Sequence, residues 1–154
     1  TSCMLTRDRK DDIKVLFQLL LYPWLDGRNT SESYRKYTDT PMWSSSLSES
    51  VGPLLAPDID SLPLMFTSPV EADSFEGLPP AYIEVAEFDP LHDDGVYYAQ
   101  LLNEASIPVV LHETKNTMHG FDAKINAPTT QAMLKKRIDF MNGMFAQNKK
   151  AAYL

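Results

Sequence analysis

Ala86-Glu87-Phe88-Asp89-Pro90-Leu91-His92-Asp93-Asp94-Gly95 decides the architecture of this chain. Before Asp89, Ala81 to Glu87 alternates and carries β-formers, the pattern of a buried strand. After it, Pro90 to Ser106 reads as an amphipathic helix, with Tyr97, Tyr98, Leu101, Leu102 and Ala105 at three- and four-residue spacing. Pro108 to Thr114 (Val109, Val110, Leu111) predicts another strand, 115–127 a loop, and Thr129 to about Gln147 a terminal helix. In that helix Leu134, Ile138, Met141 and Phe145 form the expected inward stripe, with Lys135, Lys136 and Asp139 off it. Upstream, Ile13 to Tyr22 is almost continuously apolar, as a strand buried on both faces would be, and Pro23 ends it. Strand, excursion, strand, helix, strand, loop, helix is the order of an α/β fold with parallel pairing and helices on the faces.

Two stretches lie outside that rhythm. Residues 2–8 read as the last turns of a helix, followed by the charged turn Arg7 to Asp12. From Trp24 to Gly77 the chain is irregular and rich in Ser, Pro, Asp and Thr, with short helices expected around 41–50 and 71–75. An irregular stretch of that length inside a compact domain suggests a lid or a binding loop.

Composition narrows the partners. The 154 residues are 44% hydrophobic and 23% charged, as in ordinary globular proteins, and the net charge is −7. Nucleic acids and anionic membranes need basic patches, so neither is an expected partner. The basic pieces Lys135-Lys136-Arg137 and Lys149-Lys150 read as solvated charge. No apolar run is long enough for a membrane span. The single cysteine, Cys3, cannot close an intrachain disulfide and suits a reducing, cytoplasmic setting; its apolar surroundings suggest packing rather than nucleophilic chemistry. A start at Thr1 in mid-helix leads us to expect further chain upstream.

The chemistry rests on Asp89 and on His119 of Met118-His119-Gly120-Phe121. His119 follows a strand, where open α/β sheets place their catalysts, and Gly120 frees the backbone beside it. A neutral imidazole takes a proton from a hydroxyl near neutral pH, and a buried carboxylate fixes its tautomer and stabilises the imidazolium. That pairing, Asp before His, supplies two of the three groups of a serine-hydrolase triad. Asp89 also has a structural reading: Asp before Pro is a common helix start, the carboxylate capping free N–H groups. Asp93 or Asp94 could cap instead, leaving Asp89 free to turn away, and the sequence leaves this open. His112 reads as a packed or edge residue of a strand, and His92 as exposed. No His-x-x-x-His spacing suggests a metal site. A serine between glycines is missing, and the six glycines are too far apart for a Gly-Gly oxyanion loop.

Leu78-Pro79-Pro80-Ala81-Tyr82-Ile83, Glu87 through Gly95, Tyr98-Ala99-Gln100-Leu101-Leu102 and His119-Gly120-Phe121 together resemble the C-terminal half of the hormone-sensitive-lipase-like α/β-hydrolases. Gln18-Leu19-Leu20-Leu21-Tyr22-Pro23 resembles that family's strand after the nucleophile helix, and Ser68-Pro69-Val70-Glu71-Ala72 its lead-in to the acid strand. The match runs in order through most of 13–125. It implies a partial α/β-hydrolase fold over 1–154, with 24–77 as excursion and 78–154 carrying acid strand, helix, strand, histidine loop and terminal helix. It implies hydrolysis of small acyl esters, with Asp89 as triad acid, His119 as general base and no cofactor. The family's His-Gly-Gly segment and Gly-Asp-Ser-Ala-Gly elbow would precede Thr1, with 1–8 as the tail of the elbow helix. This chain by itself would then be inactive. A ligand-binding relative without catalysis, or an inactive fragment, are the alternatives. Family members often dimerise through the edge strand and the C-terminal helix, which makes 108–147 a candidate dimer surface.

Overall fold

Ala81–Phe88 (β2) is the middle strand of a three-stranded parallel sheet, flanked by Gln18–Leu21 (β1) and Val109–Met118 (β3). The computed structural model describes residues 1–10, 12–55 and 63–151. β2 takes the centre because its residues Ala81 to Ala86 are all buried. Alternation sends Ala81, Ile83 and Val85 to one face, where they meet Tyr98, Ala99 and Leu102 of helix α5 (His92–Glu104) and Met4 of α1 (Ser2–Arg9). Tyr82 and Glu84 point the other way, toward α6 (Pro128–Ala151), where the Tyr82 ring lies 5.4 Å from Phe140. A Cβ on Gly95 would sit 2.4 Å from Val85 Cγ1. The glycine in Asp93-Asp94-Gly95 therefore lets α5 lie directly on the acid strand.

Several boundaries differ from expectation. The strand expected over Ile13 to Tyr22 shrinks to four residues, Gln18–Leu21, paired in register with Ala81 to Glu84. Among the described residues β1 pairs on one side only, so it is half-buried and Ile13 lies exposed. Gln18, the polar break in that run, is buried with both amide ends bonded: Nε2 donates to Pro79 O and Oε1 accepts from Tyr98 OH. α5 starts at His92, because Asp89-Pro90-Leu91 forms a turn in which His92 N–H donates to Asp89 O.

Helix α6 is rotated from its expected face. Thr130, Met133 and Arg137 are buried and Phe140 half-buried, whereas Ile138 and Phe145 are 51% and 48% exposed. The true inward stripe is offset by about one residue, drawn by Arg137 seeking Glu84 beneath the helix. Arg137 thus departs from the solvated charge expected of Lys135-Lys136-Arg137.

The excursion holds more helix than its composition suggested: α2 (Glu32–Lys36), α3 (Ser45–Leu55), α4 (Leu64–Thr67) and a 3-10 turn at Pro69–Glu71. Local caps explain two of these. Ser31 Oγ accepts from Tyr34 N–H, and Ser44 Oγ accepts from Leu47 N–H, so the serine run opens α3. Residues 56–62 of the excursion and Asp11 of the charged turn lie outside the described residues. No helix among the described residues is long and apolar enough to cross a membrane.

Candidate active site

The register of β2 and β3 brings the acid and the imidazole together. Their pairing runs from Ala81↔Val109 to Ala86↔Thr114 and resumes at Phe88↔Met118, so β3 spends four residues where β2 spends two. This bulge holds Asn116 at φ 55°, a conformation asparagine tolerates, with its N–H donated to Glu87 Oε2 at 2.8 Å. Thr114 and Thr117 brace it: Thr114 Oγ1 donates to Val85 O, and Thr117 Oγ1 to Thr114 O. β3 therefore continues to Met118, beyond its expected end at Thr114. Asp89 and His119 are the next residues after the last matched pair. Their Oδ2 and Nδ1 atoms stand 2.9 Å apart.

Capping and contact with the imidazole do not exclude each other, because Asp89 divides them between its two oxygens. Oδ1 accepts Leu91 N–H at 2.9 Å while Oδ2 faces His119, and the residue is only 1% exposed. The neighbouring acids bind elsewhere. Asp93 Oδ2 accepts Ser33 N–H at 2.8 Å, tying α2 to the start of α5. Asp94 Oδ2 accepts the N–H groups of Leu25 and Asp26, both at 3.0 Å.

Burial disfavours the Asp94 carboxylate and pushes its pKa up to about 7, although the two N–H donors pull the other way. Between the usual carboxylate range and pH 7 the folded protein then holds a proton that the unfolded chain has released. The contribution of Asp94 to stability falls as pH rises through that window, by up to about 1.4 kcal/mol per pH unit. Asp94→Asn keeps the acceptor and removes the titration. Urea unfolding between pH 4 and 8 should show a flatter stability profile for this variant than for the parent. Parallel profiles would show that Asp94 does not titrate there.

His119 is fixed on three sides. Beyond the bond at Nδ1, the Trp43 ring stacks on the imidazole with centroids 5.6 Å apart and planes 28° apart. Tyr22 approaches with a centroid distance of 5.0 Å and also meets Phe121 edge-on. Gly120, at φ 66°, turns the chain sharply after the histidine. Nε2 has no hydrogen-bond partner among the described residues. The loop carrying His119 is tied down by Asp122, whose Oδ2 accepts from Arg137 at 2.7 Å; Arg137 in turn grips both oxygens of buried Glu84, at 2.6 and 3.0 Å.

The other candidates lie apart from this constellation. His112 packs on Tyr82 at 5.1 Å, and its pKa is lowered by burial and by Lys136. His92 is half-buried instead of exposed, between Asp93 Oδ1 at 2.9 Å and Glu113 Oε2 at 3.3 Å. Cys3 is half-buried against the core, and burial pushes its thiol up, away from nucleophilic chemistry. Sequence reasoning missed Trp43, Tyr22 and the Glu84–Arg137–Asp122 network. An isolated tryptophan in a serine-rich stretch was the only available signal for the first.

Relatives share this arrangement of strands and helices. Residues 1–123 match the family described as the alpha/beta hydrolase fold. The chain is 35% identical to Esterase LipI of Mycobacterium tuberculosis over 108 residues, 70% of this chain and 34% of that protein. It is 30% identical to human hormone-sensitive lipase over 98 residues, 62% of this chain and 8% of that protein. Among solved structures, esterase LipW from Mycobacterium marinum superposes with a TM-score of 0.84 at 26% identity, covering 94% of this chain and 46% of that one. The chain thus spans about a third of the length of LipI and under half of LipW. The family match over residues 1–123, with an esterase and hormone-sensitive lipase among the relatives, makes this chain a member of the esterase and lipase type of the α/β-hydrolase fold family.

Proposed function

We propose that this chain supplies the acid and the base of a serine carboxylester hydrolase, and that the nucleophile and oxyanion donors come from a segment outside it. The carrying observation is the 2.9 Å contact between Asp89 Oδ2 and His119 Nδ1, with Nε2 unbonded among the described residues. In that geometry Nδ1–H donates to the carboxylate, so the Nε2 lone pair is available. His119 takes the proton of an attacking serine hydroxyl at Nε2, and Asp89 steadies the imidazolium. The proton then passes from Nε2 to the leaving alcohol, and the cycle repeats with water as nucleophile. Small acyl esters fit the reading as substrates, with residues 24–77 contributing to their selection.

A fluorophosphonate probe tests this directly. The protein made from the complete coding sequence should be labelled on a serine upstream of Thr1, and residues 1–154 alone should not. Absence of labelling in the longer protein, or a coding sequence with no such serine, would sink the hydrolase reading and favour a ligand-binding relative.

A further inference from the structure

We propose that Trp43 is a positioning residue for His119: its π face holds the imidazole in line and stabilises the positive charge that the ring gains when it takes up a proton. This rests on the hydrolase reading above. The indole belongs to the excursion, far in sequence from the histidine, yet its ring lies nearly parallel to the imidazole at 5.6 Å. Its own N–H is not what holds it there. Trp43 Nε1 is buried and has no hydrogen-bond partner among the described residues. A buried donor left unbonded costs stability, so the indole is retained at this place for its ring.

The backbone around Trp43 is built to aim that ring. Met42, immediately before it, is held at φ 69°, a left-handed conformation that is costly for a non-glycine residue. Thr40 Oγ1 donates to Trp43 O at 2.6 Å, Trp43 N–H donates to Pro41 O, and Ser45 N–H donates to Tyr37 O. Trp24 meets the indole edge-on at 6.3 Å and backs it from another side. The Met42 methyl would lie 3.5 Å from a Cβ on Gly120, so the same loop also abuts the histidine turn. Tyr22, on a second approach to the imidazole, is likewise held at a positive φ of 49°. Strain of this kind, on both aromatic neighbours' segments, concentrates where geometry is being enforced.

A ring cation is attracted by the negative face of an indole, most strongly where water is excluded. The neutral imidazole gains little from the same face, so the benefit falls on the charged state formed during turnover. Asp89 and Trp43 then divide the work, one along the imidazole edge and the other across its face.

The test uses the longer, active protein and a short-chain ester. Trp43→Phe keeps a smaller π face and should lose no more than about threefold in kcat. Trp43→Leu keeps bulk without one and should lose roughly three- to thirtyfold in kcat, with KM within twofold. Fluorinated tryptophans placed at residue 43 keep the shape while draining charge from the face, so kcat should fall stepwise with each added fluorine. That series remains decisive if the Leu variant fails to fold. Unchanged kcat across the fluorinated series, or a change confined to KM, would overturn the proposal and make Trp43 a packing residue or substrate wall. Parent protein without esterase activity would overturn the hydrolase reading itself, a result distinct from either of these.

Discussion

On the proposed hydrolase reading, replacing Asp89 by Asn in the protein made from the complete coding sequence should lower kcat on a short-chain ester by about 10³- to 10⁴-fold while leaving the fold intact. The two bonds of this carboxylate dictate the outcome. Leu91 N–H points at Oδ1 from 2.9 Å, so an asparagine must keep its carbonyl there, since an NH₂ at that position would set donor against donor. The amide nitrogen then faces His119 Nδ1 across the 2.9 Å gap that Oδ2 occupied. Nδ1 can meet an N–H only by accepting it, which moves the ring proton to Nε2. A histidine with its proton on Nε2 cannot take another from a hydroxyl. Meanwhile the turn at Asp89-Pro90-Leu91 keeps its acceptor, so denaturation midpoints should change little. Steady-state kinetics beside urea unfolding separates the two effects. Normal turnover would reject Asp89 as the acid, and loss of folding would mean that its burial, not its charge, dominates.

The architecture was legible in the sequence wherever burial alone shaped the pattern. Ala81 to Ala86 is buried throughout, and its β-formers marked the central strand correctly. The amphipathic spacing of Tyr98 and Leu102 located α5, both residues being buried against β2. Where polar groups decided the structure, pattern reading failed. The face of α6 was misplaced because the inward residue at 137 is an arginine, which no apolar stripe includes. The end of β3 was misplaced because Lys115-Asn116-Thr117 reads as a loop, whereas side-chain hydrogen bonds and one left-handed residue make it a bulge. Asp89 and His119 stood out as candidates by loop position, residue type and the family resemblance, and the structure brings the two side chains together. Their registration could not, since it depends on the two extra residues in that bulge. Trp43 was invisible for a simpler reason: nothing local relates a residue of the excursion to a loop 76 positions later in the chain.

Arg137→Met should destabilise the protein by about 3–5 kcal/mol, the largest stability loss we expect from any single exchange on α6. Glu84 is 0% exposed in the middle of the sheet, and Arg137 bonds both of its oxygens. Tyr82 OH donates to Oε2 as well, at 3.1 Å, but a neutral hydroxyl cannot replace a guanidinium. Methionine fills much of the same volume, so the cost arises from a carboxylate left buried without its counter-charge, not from a cavity. The double variant Glu84→Leu/Arg137→Met removes both charges together and should recover much of the loss, short of the cost of the buried Tyr82 hydroxyl left without its acceptor, because paired buried ions contribute little net stability over apolar residues of similar size. Recovery should be incomplete at the histidine. Arg137 also holds Asp122, three residues beyond His119, so the double variant frees the loop even when the sheet is restored. Urea unfolding should therefore place the double variant closer to the parent than Arg137→Met alone, while its kcat stays reduced. Equal stability and equal kcat would confine the Glu84–Arg137 pair to the core and leave the Asp122 contact without influence on the imidazole.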